Sequence, residues 1–177
     1  MACSAARAWT LPAALAITLA SALPAPAVAE TTAAAMTAFG LTGTWSDDCA
    51  KDPAKEGARL IYSPPGSRTP SYRFVMFDKD GNKITVSSDI LSAARLPQGK
   101  LKTVTVKTGT NGNALQPSER VPIETIIVKV GPKIQSVQSR QLDGGRRFIV
   151  DGQIVSENAR GELQTIKPAP LLERCQG

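Results

Sequence analysis

From residue 41 onward, apolar and polar residues tend to alternate, in short runs separated by Gly, Pro, Asn and Asp. A period of two is that of a half-buried strand, because successive side chains point to opposite faces. Lys100 to Lys107 shows it most plainly: Lys102, Val104 and Val106 fall on one face, Leu101, Thr103, Thr105 and Lys107 on the other. Leu41 to Ser46, Arg59 to Ser63, Ser71 to Phe77 and Lys83 to Ser88 read as earlier strands. Ile123 to Val130, rich in β-branched residues, Lys133 to Arg140, Arg147 to Val150, Gln153 to Glu157 and Glu162 to Lys167 read as later ones. Ile90 to Leu96 is ambiguous between a helical turn and an extended segment, and we take it as extended. Pro64-Pro65-Gly66, Asp80-Gly81, Gly131-Pro132, Asp143-Gly144-Gly145 and Asp151-Gly152 punctuate the runs as turns. Strands at this spacing predict an all-β fold. It is an antiparallel meander of about eight strands, closing into a barrel and so removing its exposed edges.

The chain before residue 41 reads differently. Arg7 is followed by an uncharged apolar stretch, Thr10 to Leu23, and then by the small-x-small sequence Ala27-Val28-Ala29. That order of features predicts a signal peptide over 1–29, cleaved between Ala29 and Glu30. The apolar stretch is short for a membrane span and is interrupted by Pro12 and flanked by Pro24. Residues 30–40, rich in Ala and Thr, are expected to form a flexible leader, and 41–177 a single domain.

Cleavage would leave two cysteines, Cys49 and Cys175. An even count in an exported chain predicts a disulfide, which would tie the end of the first strand to the C-terminal region. No Cys-x-x-Cys argues for a redox pair, and the chain has no histidine to complete a typical zinc set. The lack of histidine also removes Ser-His-Asp and Cys-His catalytic sets. Neither Ser-x-x-Lys nor a Gly-rich phosphate loop occurs. Asp47-Asp48 would point to opposite faces of a strand. Asp78-x-Asp80-x-Asn82 has Lys83 where a calcium loop needs glycine, and reads as a hairpin turn.

The net charge is +6, spread along the chain. Arg140, Arg146 and Arg147 flank one turn, but no basic stripe interleaved with aromatics points to nucleic acid. The aromatics beyond residue 29 are Phe39, Trp45, Tyr62, Tyr72, Phe74, Phe77 and Phe148. They suit a core or the lining of a cavity.

Gly43-Thr44-Trp45 resembles the Gly-x-Trp of lipocalin-like (calycin) barrels, in which the Trp packs across one barrel end. Leu41 to Trp45 is also similar to the first strand of avidins. The match ends there, since Trp45 is the only Trp after residue 29 and the further tryptophans of the avidin biotin site have no counterpart. Gly43, Trp45, Cys49, Tyr62-Ser63, Ile90 to Ser92, Asp151-Gly152, Leu172 and Cys175 together resemble the pattern of a group of small exported proteins of Gram-negative alphaproteobacteria. In that group a Thr-Pro precedes the final Leu and Cys, whereas here Thr165 and Pro168 stand apart. The resemblance implies a periplasmic or secreted location, a disulfide and a lipocalin-like barrel, and adds little on activity.

The expectation is therefore a non-enzymatic β-barrel that binds a small apolar or anionic molecule, or an envelope protein. It needs no cofactor or metal, binds no nucleic acid and keeps no membrane span after processing. The alternative is a structural module with a filled barrel. No residue is singled out as a ligand contact, and no oligomeric state is implied.

Overall fold

The computed structural model describes residues 30–52, 56–78, 80–158 and 160–176. The expected signal peptide over 1–29, with Ala29 at its cleavage site, lies outside the described residues. No described helix is long and apolar enough to cross a membrane.

The described residues form one antiparallel sheet preceded by a short helix. After α1 (Thr32–Phe39) come β1 (Gly43–Ser46), β2 (Arg59–Tyr62), β3 (Ser71–Phe77), β4 (Lys83–Leu96), β5 (Lys100–Thr110) and β6 (Asn113–Ala114). A single 3-10 turn (Pro117–Glu119) precedes β7 (Pro122–Val130) and β8 (Lys133–Gln141). Then follow β9 (Arg147–Val150), β10 (Gln153–Glu157), β11 (Leu163–Pro168) and β12 (Glu173–Arg174). The hydrogen-bonded order is β11-β10-β9-β8-β7-β5-β4-β3-β2-β1-β12, with β6 folded back on β5. Neighbours in sequence are neighbours in space, as hairpin spacing requires, except that β12 returns to lie beside β1.

The sheet has twelve strands, more than the expected eight or so. Two of them, β6 and β12, are only two residues long and exist because a neighbouring strand offers a free edge. The ambiguous Ile90–Leu96 is not a separate segment. It is the second half of β4, a strand of 14 residues whose register shifts at Ser87/Ser88 and Ile90/Ser92. Those bulges absorb the extra residues and let one strand run from β3 onto the far end of β5.

Residues 30–40, expected as a flexible leader, carry the helix α1. Thr31 caps α1 by accepting the Ala34 amide at 3.2 Å. Gly40, with φ of 79°, ends it in the left-handed conformation, and its amide donates to Thr37 at 2.9 Å. Ala35, Met36 and Phe39 are buried against a cluster that includes Leu41, Trp45, Ile90, Ala93 and Leu101. Lys129 extends its ammonium over the Phe39 ring, 5.2 Å from the centroid. Eight residues, mostly Ala and Thr, would not hold a helix in water, so tertiary packing is what fixes it.

The far edge of the sheet comes back on itself through the segment before β12. Leu172 exchanges two backbone hydrogen bonds with Ile134 of β8, at 2.8 and 2.9 Å. Two residues later the same segment pairs with Trp45 of β1. Cys49 and Cys175 are joined in a disulfide with a Cα–Cα distance of 5.3 Å. β8 therefore forks. Near its start it meets Leu172, and near its end Ser139 and Arg140 meet β9.

Trp45 is 4% exposed, and its indole N–H donates to the Leu41 carbonyl at 3.0 Å. Gly43 has a physical reason to be glycine. Its φ is 98°, and a Cβ there would come within 3.3 Å of the Arg174 guanidinium, which lies across it.

Candidate functional site

Strand β5 holds the clue to the interior. Of its two faces, the one carrying Leu101, Thr103 and Thr105 is buried, and the one carrying Val104 and Val106 is only half-buried. Beyond Leu101 the buried side chains of this strand are thus threonines, and its valines lie on the other face. Thr125 of β7 and Ser136 of β8 line the same interior, and Ser139, also of β8, is buried. The inner face of this part of the sheet is therefore lined with hydroxyls.

Against that face lies a cavity of about 550 Å³. Leu60 and Tyr62 of β2, Phe74 and Met76 of β3, Ile127 of β7 and Ile134 and Ser136 of β8 form its walls. Ile149 and Ile154, opposite each other on β9 and β10, cover it together with Pro168 to Pro170 and Leu172. That cover is held in place by backbone and side-chain bonds. The Ala169 amide donates to Gly152 at 2.8 Å, and the Gln135 amide donates to the Ala169 carbonyl at 2.9 Å. Asp47 and Lys167, both exposed, bring one charge of each sign to the lining.

Deeper in, a second cavity of about 190 Å³ is lined by Tyr62, Tyr72, Thr103, Thr105, Thr125 and Ser136, with Leu60, Ile90 and Ile127. The two cavities abut, sharing Leu60, Tyr62, Ile127 and Ser136. The Tyr62 and Tyr72 rings are 5.5 Å apart. Burial, followed by the neighbouring Tyr72, pushes the Tyr62 phenol well above its ordinary value of 10.0.

The folded-state value of Tyr62 exceeds the unfolded one, so its contribution to stability is complete below pH 10.0 and is lost as pH rises through the folded value. The unfolding free energy is expected to fall above about pH 10 by up to ~1.4 kcal/mol per pH unit from this one group. Urea unfolding of wild type and Tyr62→Phe between pH 8 and about pH 11 checks it. Identical pH profiles would show that the phenol ionises as readily in the fold as outside it.

The other residues considered from sequence fall elsewhere. Asp47 is at the cavity, but Asp48 turns away and accepts the Ala50 amide at 2.9 Å. Asp78 is the acceptor of a turn, bonded by the Asn82 side chain at 3.0 Å and by the amides of Asn82 and Asp80. The Asn82 bonds, side chain first, hold its carboxyl below the usual range. Among the described residues no group of His, Cys, Asp and Glu is placed to hold a metal ion. Arg140 is taken up by Glu124, at 2.9 and 3.0 Å, and Arg146 lies over the Phe148 ring at 5.6 Å. Phe39 and Trp45 belong to the core, Tyr62 belongs to the core and also lines both cavities, and Tyr72 and Phe74 line one cavity each.

The cavity residues Leu60, Met76, Ser136, Ile149 and Ile154 were not singled out in the sequence. Their strands alternate visibly, but alternation alone does not say which face encloses a space. No protein-family model, no curated protein and no solved structure matches the chain.

Proposed function

We propose that this chain is an exported binding protein that takes up a small, mainly apolar molecule and performs no reaction on it. In this reading the run β8-β7-β5-β4-β3-β2-β1-β12, returning to β8 through Leu172, is a lipocalin-like barrel, with β9 to β11 as its cover. The observation that carries the reading is the cavity of about 550 Å³, walled by apolar side chains with a few polar groups. Pockets of this size and lining suit drug-sized ligands. The disulfide supports it too, since it braces the cover against the wall before a ligand arrives. The Tyr62 phenol, driven away from ionisation by burial, suits hydrogen bonding better than proton abstraction. Export rests on the pattern of residues 1–29, and the disulfide suits an oxidising compartment.

The experiment is to produce the full chain in a Gram-negative host and titrate the protein from the periplasm with the neutral fluorophore N-phenyl-1-naphthylamine. The expected material begins at Glu30, and the probe brightens and saturates at one per chain. Material confined to the cytoplasm with residues 1–29 intact refutes export. Periplasmic protein that leaves the probe dark refutes the binding reading and favours a structural module.

A further inference from the structure

The two abutting cavities differ in chemistry, and the difference selects an orientation. The outer one is walled by Phe74, Met76, Ile134, Ile149 and Ile154. The inner one has six hydroxyl-bearing side chains in its lining and no charged one. Resting on the binding reading above, we infer that the ligand is a neutral amphiphile, seated with an uncharged hydrogen-bonding end in the inner cavity and its apolar body in the outer. The chemical class is that of an alcohol, ketone or amide on a hydrocarbon body, rather than a fatty-acid anion or an alkylammonium.

The inner hydroxyls are poorly engaged with the protein itself. Thr103 and Thr105 reach the carbonyls of Thr125 and Ile123 only at 3.5 Å, the long limit of a hydrogen bond. Thr125 and Ser139 bring their hydroxyl oxygens to 3.2 Å. The Tyr62 and Tyr72 phenols find no hydrogen-bond partner among the described residues. Valine would fit the threonine positions at the same size, so the hydroxyls at 103 and 105 are not needed for packing. A ligand that displaces water from these hydroxyls must bond them in its place, and a neutral polar end does so.

A full charge would be treated differently. Nothing in the inner lining carries an opposite charge, so an ionised head would be desolvated without a counterion. The charged residues near the ligand path, Asp47 and Lys167, line the outer cavity and are exposed. An anionic head would be held at Lys167, which would leave an apolar tail against the hydroxyls.

Three probes with the same chain separate these cases: 1-octanol, octanoate and octylammonium, each measured by displacement of N-phenyl-1-naphthylamine at pH 7.5. Octanol is expected to have a displacement constant at least about tenfold lower than either ion. Octanoate should gain affinity as pH is lowered through its own carboxyl pKa. Tyr62→Phe should weaken octanol by roughly three- to tenfold, the worth of one hydrogen bond. If Tyr62→Phe does not fold, Thr103→Val carries the same expectation. An ion that competes as well as octanol, or an octanol constant indifferent to the substitution, overturns the inference while probe binding keeps the cavity reading intact. A probe that never binds wild type overturns both.

Discussion

Cys175→Ser is expected to lower the unfolding free energy by about 5 kcal/mol, the largest effect of any single change in the chain. The two cysteines are 126 positions apart, so the covalent loop takes in nearly the whole sheet. Closing such a loop restricts the unfolded chain far more than a local crosslink does. The native side adds to the effect. β12 holds β1 through only two register pairs, Trp45 with Arg174 and Ser46 with Glu173. Leu172 holds β8 through one bridge. Without the covalent link these short contacts have little to keep them together, and the cover over the cavity is tied to the same segment. Urea unfolding of wild type, Cys175→Ser and Cys49→Ser/Cys175→Ser checks the figure, with reductant added to wild type as the matching control. Reduction and mutation should agree, and both should abolish binding of N-phenyl-1-naphthylamine. A loss below about 1 kcal/mol would mean that the sheet holds its C-terminal segment without help.

Trp45→Ala is expected to cost about 3–5 kcal/mol. The indole is 4% exposed and belongs to the cluster that joins α1 to the strands. It stands on β1 between Leu60 of β2 and Arg174 of β12. Truncating it removes the largest side chain of the cluster into which α1 packs. Trp45→Phe isolates a smaller component. It keeps most of the apolar volume but takes away the donor to Leu41, at a cost of about 1–3 kcal/mol if that carbonyl is left unbonded. Thermal unfolding of both variants gives the two values. Far-ultraviolet circular dichroism reports whether α1 persists in Trp45→Ala. A Trp45→Ala variant as stable as wild type would show that the cluster around α1 does not hold the fold together.

Much of the strand pattern could be read from the sequence, and particular residues show why. Ser71–Phe77, Arg147–Val150 and Gln153–Glu157 have the bounds expected of them, because turn residues fence them on both sides. Asp89 looks like a break between two strands. In the sheet it pairs with Ser71 on one side and Val106 on the other, and nearby bulges keep β4 running. α1 escaped notice because Ala and Thr make a weak amphipathic pattern, although Thr31 and Gly40 are standard cap residues. β12 has no signal of its own and is a strand only because β1 has an edge to fill. The cavity was hidden for another reason. Thr and Val are close in shape and strand propensity, so the alternation on β5 fits either face inward. Only the placement of Leu101 and its neighbours against α1 and β7 decides it.

The adjacency of β12 and β1 also governs how the molecule is made. Residues emerge in order, so Gly43–Ser46 waits while the intervening hairpins zip up beside it, and its outer backbone groups stay open to a stray strand meanwhile. Formation of the disulfide as soon as Cys175 is available would end that wait. Overproduction in a reducing cytosol should instead favour inclusion bodies.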